Sequence, residues 1–307
     1  MSAPTMSGNR SITQRHAVFA VFLIISLIVS WRTIGNLLVY SLHNESCSHI
    51  ILVPLVSAYL LFAERRRIFR VFRSWGSVGI IGVLAGVVLY WVAIRRSIPL
   101  QGNMALSIGT LALMLVWTGG FLWTYGLASA RAAAFPLLFL LLMVPLPDNV
   151  LAWTIHLLQH GSAEVTYLLF KLVGIPVLRQ GLVLSVPSVT IEVAAECSGI
   201  RSTIALFITC LLVAHFYLRT PWKVLVFLLF VFPLSVIKNG IRIVTLTLLS
   251  IYVGPSFLHG SLHHQGGFVF FLLALSLLLP VFLALEKSER HRTTSKSQQP
   301  EGGIGRD

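Results

Sequence analysis

Cys197 stands in Glu196-Cys197-Ser198-Gly199-Ile200-Arg201, where a loop-like stretch gives way to a long apolar run. A cysteine attacks carbonyl carbon as its thiolate, and a helix N-terminus or a nearby cation favours that form. The apolar run begins just after Ser198-Gly199, and Arg201 supplies a cation four residues on. Two other readings fit the same residue: a small buried hydrophobe, or one half of a disulfide with Cys47, which would abolish thiolate chemistry. Cys210 lies among Ile208, Leu211 and Leu212, where packing is its expected role.

Arg242 interrupts an apolar stretch within Lys238-Asn239-Gly240-Ile241-Arg242. A cation inside a membrane span is costly and faces a cavity, a partner or a functional site. Snorkelling to headgroups, or pairing with Glu192 or Glu196, would also accommodate it. Lys238, four residues earlier on the same helical face, is expected on a solvated polar side. His259, His263 and His264 precede Gly266-Gly267. Imidazole exchanges protons near neutral pH and can orient or activate a thiol. Three imidazoles so close also read as metal ligands, but no cysteine or carboxylate with ligand spacing accompanies them. Cysteine-dependent acyl transfer is the chemistry that Cys197, Arg242 and a histidine together would support.

The elements that must position these residues are read from composition. Of 307 residues 56% are hydrophobic and 11% charged, and the mean hydropathy is +0.85. Soluble domains carry roughly 25% charged residues, so a water-soluble fold is excluded, as is disorder. The formal charge of +13 does not point to nucleic acid, because the basic residues punctuate apolar runs instead of gathering on one surface. Three cysteines are too few for a disulfide scaffold.

A spanning helix needs about 20 mostly apolar residues. Runs at 17–40, 50–63, 78–94, 104–123, 130–146, 204–218, 222–251 and 268–285 predict an all-α polytopic membrane protein of about eight transmembrane helices. The expected organisation is a cytoplasmic tail over 1–16, one membrane domain over 17–285 and a basic polar cytoplasmic tail over 286–307. Arg65, Arg66, Arg67, Arg70 and Arg73 crowd one connection, and alternation from a cytoplasmic assignment there puts both termini inside. Arg95 and Arg96 are the misfit. Residues 149–172 read as an interfacial or cavity-lining helix, with His156, Gln159, His160 and Glu164 among apolar positions. Residues 177–194, with Gly181, Pro187 and alternating apolar residues, read as a short hairpin or extended segment. By alternation this segment, Cys197, Arg242 and the histidines share the outer face.

At these residues the sequence resembles the exosortase/archaeosortase family of membrane cysteine proteases. The matching pieces are Ala195-Glu196-Cys197-Ser198-Gly199-Ile200-Arg201, Asn239-Gly240-Ile241-Arg242 and His263-His264-Gln265-Gly266-Gly267. Pro145-Leu146-Pro147-Asp148, and Ser48-His49 with Pro54, support them. The ordered set runs from about residue 31 to 271.

The resemblance implies a transpeptidase-like protease of the cell membrane, acting on exported proteins with a C-terminal tripartite signal: a Pro-Glu-Pro type motif, a spanning helix and a basic end. By analogy Cys197 forms an acyl-thioester, Arg242 donates a proton or stabilises the oxyanion, and His263 is the third catalytic group. His263 is preferred to His264 because its spacing to Gly267 fits the pattern better. No cofactor is implied. A small-molecule transporter is the alternative from another class, but no inverted repeat or pair of broken helices is visible. A non-catalytic envelope-assembly scaffold is the third reading, against which Cys197, Arg242 and His263 all stand intact.

Overall fold

The computed structural model describes residues 6–71, 76–95, 102–254 and 267–297. The protein is an all-α polytopic membrane protein with a small three-stranded sheet. Among the described residues seven helices are long and apolar enough to cross a membrane. The number rises to eight if the bent pair Ala134–Met143 and Asp148–Leu172 forms one span. The chain packs as two compact units, Met1–Leu151 and Ala152–Asp307.

In the first unit the run expected over 17–40 is two helices, α1 (Met6–Val29) and α2 (Trp31–His43). Ser30 sits between them, its amide and hydroxyl both donating to the Ser26 carbonyl at 3.0 and 2.6 Å. A serine that competes for helix carbonyls in this way bends or ends the helix. The second run starts earlier than expected, because a 3₁₀ stretch, Glu45–Ile51, leads into α3 (Leu52–Ala63). A single turn, α4 (Arg65–Ile68), carries three of the clustered arginines.

Helices α5 (Ser77–Arg95) and α6 (Met104–Ala132) pair closely. A Cβ on Gly79 would lie 2.2 Å from the Trp123 amide nitrogen, and one on Gly119 would lie 2.6 Å from that of Val83. Small residues let the backbones meet, which is how apolar helices associate without a hydrophobic driving force. The fifth run, 130–146, is not a straight span. Gly126 breaks the helical path (φ +82°, ψ +171°) and Ala133 leaves it again. The chain continues as the short α7 (Ala134–Phe139) and a 3₁₀ turn, Leu140–Met143.

The second unit holds most of α8 (Asp148–Leu172), then β1 (Leu178–Gln180), β2 (Val183–Val186) and β3 (Val189–Glu192). The strands form an antiparallel meander in the order β1-β2-β3, with Leu184 opposite both Arg179 and Ile191. The segment expected as a short hairpin or extended stretch is thus three strands; β1, at three residues, is too short for alternation to reveal it. Helices α9 (Ile200–Tyr217), α10 (Pro221–Tyr252) and α11 (Gly267–Ser297) complete the unit. They share a core of Leu206, Cys210, Ala214, Phe227, Val231, Ala274 and Leu278. Helix α11 continues past Glu286, so the expected tail is helical to Ser297.

Candidate active site

Cys197 belongs to a 3₁₀ turn, Ala195–Ser198, between β3 and α9, and is half-buried. The turn is anchored from several directions. The Cys197 amide donates to the Ala194 carbonyl at 3.0 Å. One residue before Ala194, the Val193 carbonyl accepts from Gln159 Nε2 of α8 at 2.7 Å. Gly199 closes the turn in the left-handed region (φ +77°), where a side chain is disfavoured. A Cβ there would also lie 3.1 Å from Asn239 Oδ1.

Asn239, 1% exposed on α10, joins three elements. Its Nδ2 donates to the Cys197 carbonyl at 2.7 Å and to Ser162 Oγ of α8 at 3.0 Å. Gly240 makes that approach possible, since a Cβ there would lie 2.5 Å from Val165 Cγ1. Arg242, half-buried, follows Asn239 by three residues on α10, which puts the two on adjacent positions of one helix face. Its neighbours Ile243 and Val244 pack on the sheet with Leu184, Val186 and Val193, and on Ala163 and Phe170 of α8. The sheet therefore wedges against the helix turn that bears Arg242, while its exit strand delivers Cys197.

Lys238 is not on a solvated face: it is 2% exposed, and its ammonium donates to Ser202 Oγ. Lys238 and Arg242 stand one turn apart on α10, and α9 begins three residues after Cys197.

His263, with His259 and His264, lies outside the described residues, which resume at Gly267, where α11 begins. Among the described residues no three His, Cys, Asp or Glu side chains gather as metal ligands. No disulfide forms among the described residues, which include all three cysteines. Cys47, polar-flanked in sequence, is 5% exposed, and its carbonyl accepts from Ser41 Oγ at 2.8 Å. Cys210 packs in the core of α9, α10 and α11, as expected.

Residue type and spacing single out Cys197 and Arg242 but give no role to Gln159, Ser162 or Ser202, and include Asn239 only within a motif. Ser162 carries a faint signal, sitting in Gly161-Ser162-Ala163 on a helix otherwise lined with large residues. In the first unit the Pro145-Leu146-Pro147-Asp148 motif also acquires a role. Asp148 Oδ2 accepts from the Asn103 amide at 2.9 Å, and the Asp148 amide donates to Asn103 Oδ1 at 3.0 Å. Asn103 Nδ2 then reaches Tyr40 Oη and the Leu146 carbonyl, at 2.9 and 2.8 Å. This reciprocal clasp ties the start of α6 to the start of α8.

Residues 31–280 match the family model described as transmembrane exosortase, a range that contains Cys197, Arg242 and His263. No curated protein and no solved structure matches the chain.

Proposed function

The chain belongs to the transmembrane exosortase family, and on that premise we propose that it is a membrane cysteine peptidase or transpeptidase acting on C-terminal sorting signals of exported proteins. Family membership supports a membrane transpeptidase or sorting role in general. The observation that carries the finer reading is the hydrogen bond from Asn239 to the Cys197 carbonyl, which ties the cysteine turn to α10 one turn before Arg242.

In this reading the Cys197 thiolate attacks the backbone carbonyl carbon near the signal motif, forming an S–C bond. The negative charge that develops on the carbonyl oxygen is met by the Arg242 guanidinium. The C–N bond then breaks, the leaving amine takes a proton from His263, and the acyl group remains as a thioester on Cys197. Water or an acceptor amine then attacks the thioester and gives a proton to His263, the C–S bond breaks, and Cys197 is released as the thiolate. The site faces the outside of the cell membrane and both termini are cytoplasmic, an orientation supported by the distribution of basic residues. The substrate's spanning helix lies in the bilayer beside the enzyme, with its extended motif presented near the three-stranded sheet and the cysteine turn.

The test is to trap the acyl-enzyme, using the full chain in membranes with a candidate sorting-signal substrate. A covalent adduct on Cys197, released by hydroxylamine and missing in Cys197→Ala, is the expected result. Processing that continues in Cys197→Ala would overturn the cysteine mechanism. Reporter fusions that place residues 147–202 in the cytoplasm would overturn the orientation.

A further inference from the structure

Lys238 has no assigned part in the chemistry, yet it is among the costliest residues of α10 to bury. It is 2% exposed, and its hydrogen-bond partner is a neutral hydroxyl, Ser202 Oγ. Among the described residues no carboxylate pairs with it, and the cation one turn along, Arg242, has the same sign. An ammonium held this way lowers stability relative to an apolar side chain of similar size. Its place there calls for a role that leucine or methionine would not fill.

The onward contacts supply one. Ser202 Oγ donates to the Gly199 carbonyl at 2.9 Å. That carbonyl also accepts from the Thr203 amide and from Thr203 Oγ1, each at 2.9 Å. A serine hydroxyl has one proton to give. By donating to Ser202 Oγ, the lysine leaves that proton only one direction, toward Gly199. The neighbouring residue, Asn239, meanwhile holds the Cys197 carbonyl at 2.7 Å. Two consecutive residues of α10 thus grip the carbonyls on both sides of Ser198, one directly and one through Ser202.

We propose that Lys238 and Ser202 are positioning residues for Cys197, a clamp that fixes the left-handed Gly199 turn and so aims the thiol at the start of α9. The inference rests on Cys197 being the nucleophile. Loosening the clamp lets the turn rotate and carries the thiol away from the helix N-terminus that favours its reactive form. The lysine acts through Ser202, so the two residues contribute as one unit and their losses do not add.

The experiment uses the full chain in detergent, in a Cys47→Ala/Cys210→Ala background that leaves one thiol, and follows alkylation by N-ethylmaleimide. Lys238→Met and Ser202→Ala should each slow alkylation by about tenfold. The double variant should be no slower than either single change. Ser202→Thr, which keeps the hydroxyl, should restore the rate to within about twofold of the parent. Lys238→Met should melt no lower than the parent, because the buried ammonium costs stability, so its loss of alkylation cannot follow loss of folded protein. Unchanged alkylation in Lys238→Met, multiplied losses in the double variant, or losses that follow loss of folded protein would each overturn the clamp. Should Lys238→Met fail to fold, the contrast between Ser202→Ala and Ser202→Thr still decides the matter. Processing by Cys197→Ala is scored separately: if it persists the nucleophile assignment falls, whatever the alkylation rates show.

Discussion

The amide of Asn239 donates to the main-chain carbonyl of Cys197 at 2.7 Å, across 42 positions of sequence. The contact fixes where the cysteine turn meets α10, and the second proton of the same amide binds Ser162 of α8. Replacing Asn239 by leucine strands a partly buried carbonyl and a buried hydroxyl, at about 1–3 kcal/mol for an unsatisfied buried group. We expect Asn239→Leu to insert in the membrane but process substrate at least about fivefold more slowly, the rate equivalent of the lower end of that range. Precursor-to-mature ratios at matched enzyme levels provide the measurement, and normal processing would dissociate Asn239 from the site.

The three cysteines should separate cleanly. Cys197→Ala removes the atom that would carry the acyl group, so processing should stop. Cys210 fills the core between α9, α10 and α11. Cys47 is buried in a 3₁₀ turn of the other unit. Alanine at either of these should leave processing within a few-fold of normal, while removal of Cys210 sulfur should lower the melting temperature slightly. Loss of processing in Cys47→Ala with Cys197 intact would redirect attention to the first unit.

Arg242 is half-buried beside the sheet, and its guanidinium is expected to meet the developing oxyanion. A lysine keeps the charge but not the planar fork. Arg242→Lys should therefore fold and insert normally and yet process at least about tenfold more slowly, a margin below the 10²–10³ typical of one lost oxyanion donor. If Lys serves as well as Arg, the residue is there to snorkel.

At the far end of α10, Lys223 and Glu289 form an ion pair at 3.1 Å, their side chains 2% and 15% exposed. Thr220 Oγ1 donates to the other carboxylate oxygen at 2.6 Å. This pair latches the start of α10 to the last turns of α11. Glu289→Ala leaves the lysine buried alone and should cost about 3 kcal/mol, the low end for a broken buried pair, because the carboxylate retains some exposure. The double change Lys223→Met/Glu289→Met should recover most of that loss. Thermal unfolding in detergent reads both, and a double variant as unstable as the single would mean that the charges themselves hold the helices.

Much of this architecture is legible in the residues themselves. Spans follow from hydropathy over windows of about 20 residues, a local property, so the runs that form α5, α9, α10 and α11 are visible without any tertiary information. Cys197 and Arg242 are conspicuous for the same reason: each is a polar intrusion beside or within an apolar run. The helix break at Ser30, the left turn at Gly126 and the third strand depend on single hydrogen bonds or backbone angles too weak to leave a periodic trace. The surroundings of Cys197 are less local still. Its turn is held by Asn239, which also binds Ser162 77 positions away. Lys238 looks like a residue for water until Ser202 and the packing of α9 on α10 bury it. Sequence determined what must lie in the membrane and which groups are costly there. Tertiary packing decided which of those groups meet, because a hydrogen bond needs its partners within about 3 Å, and only the folded chain brings positions so far apart in sequence that close.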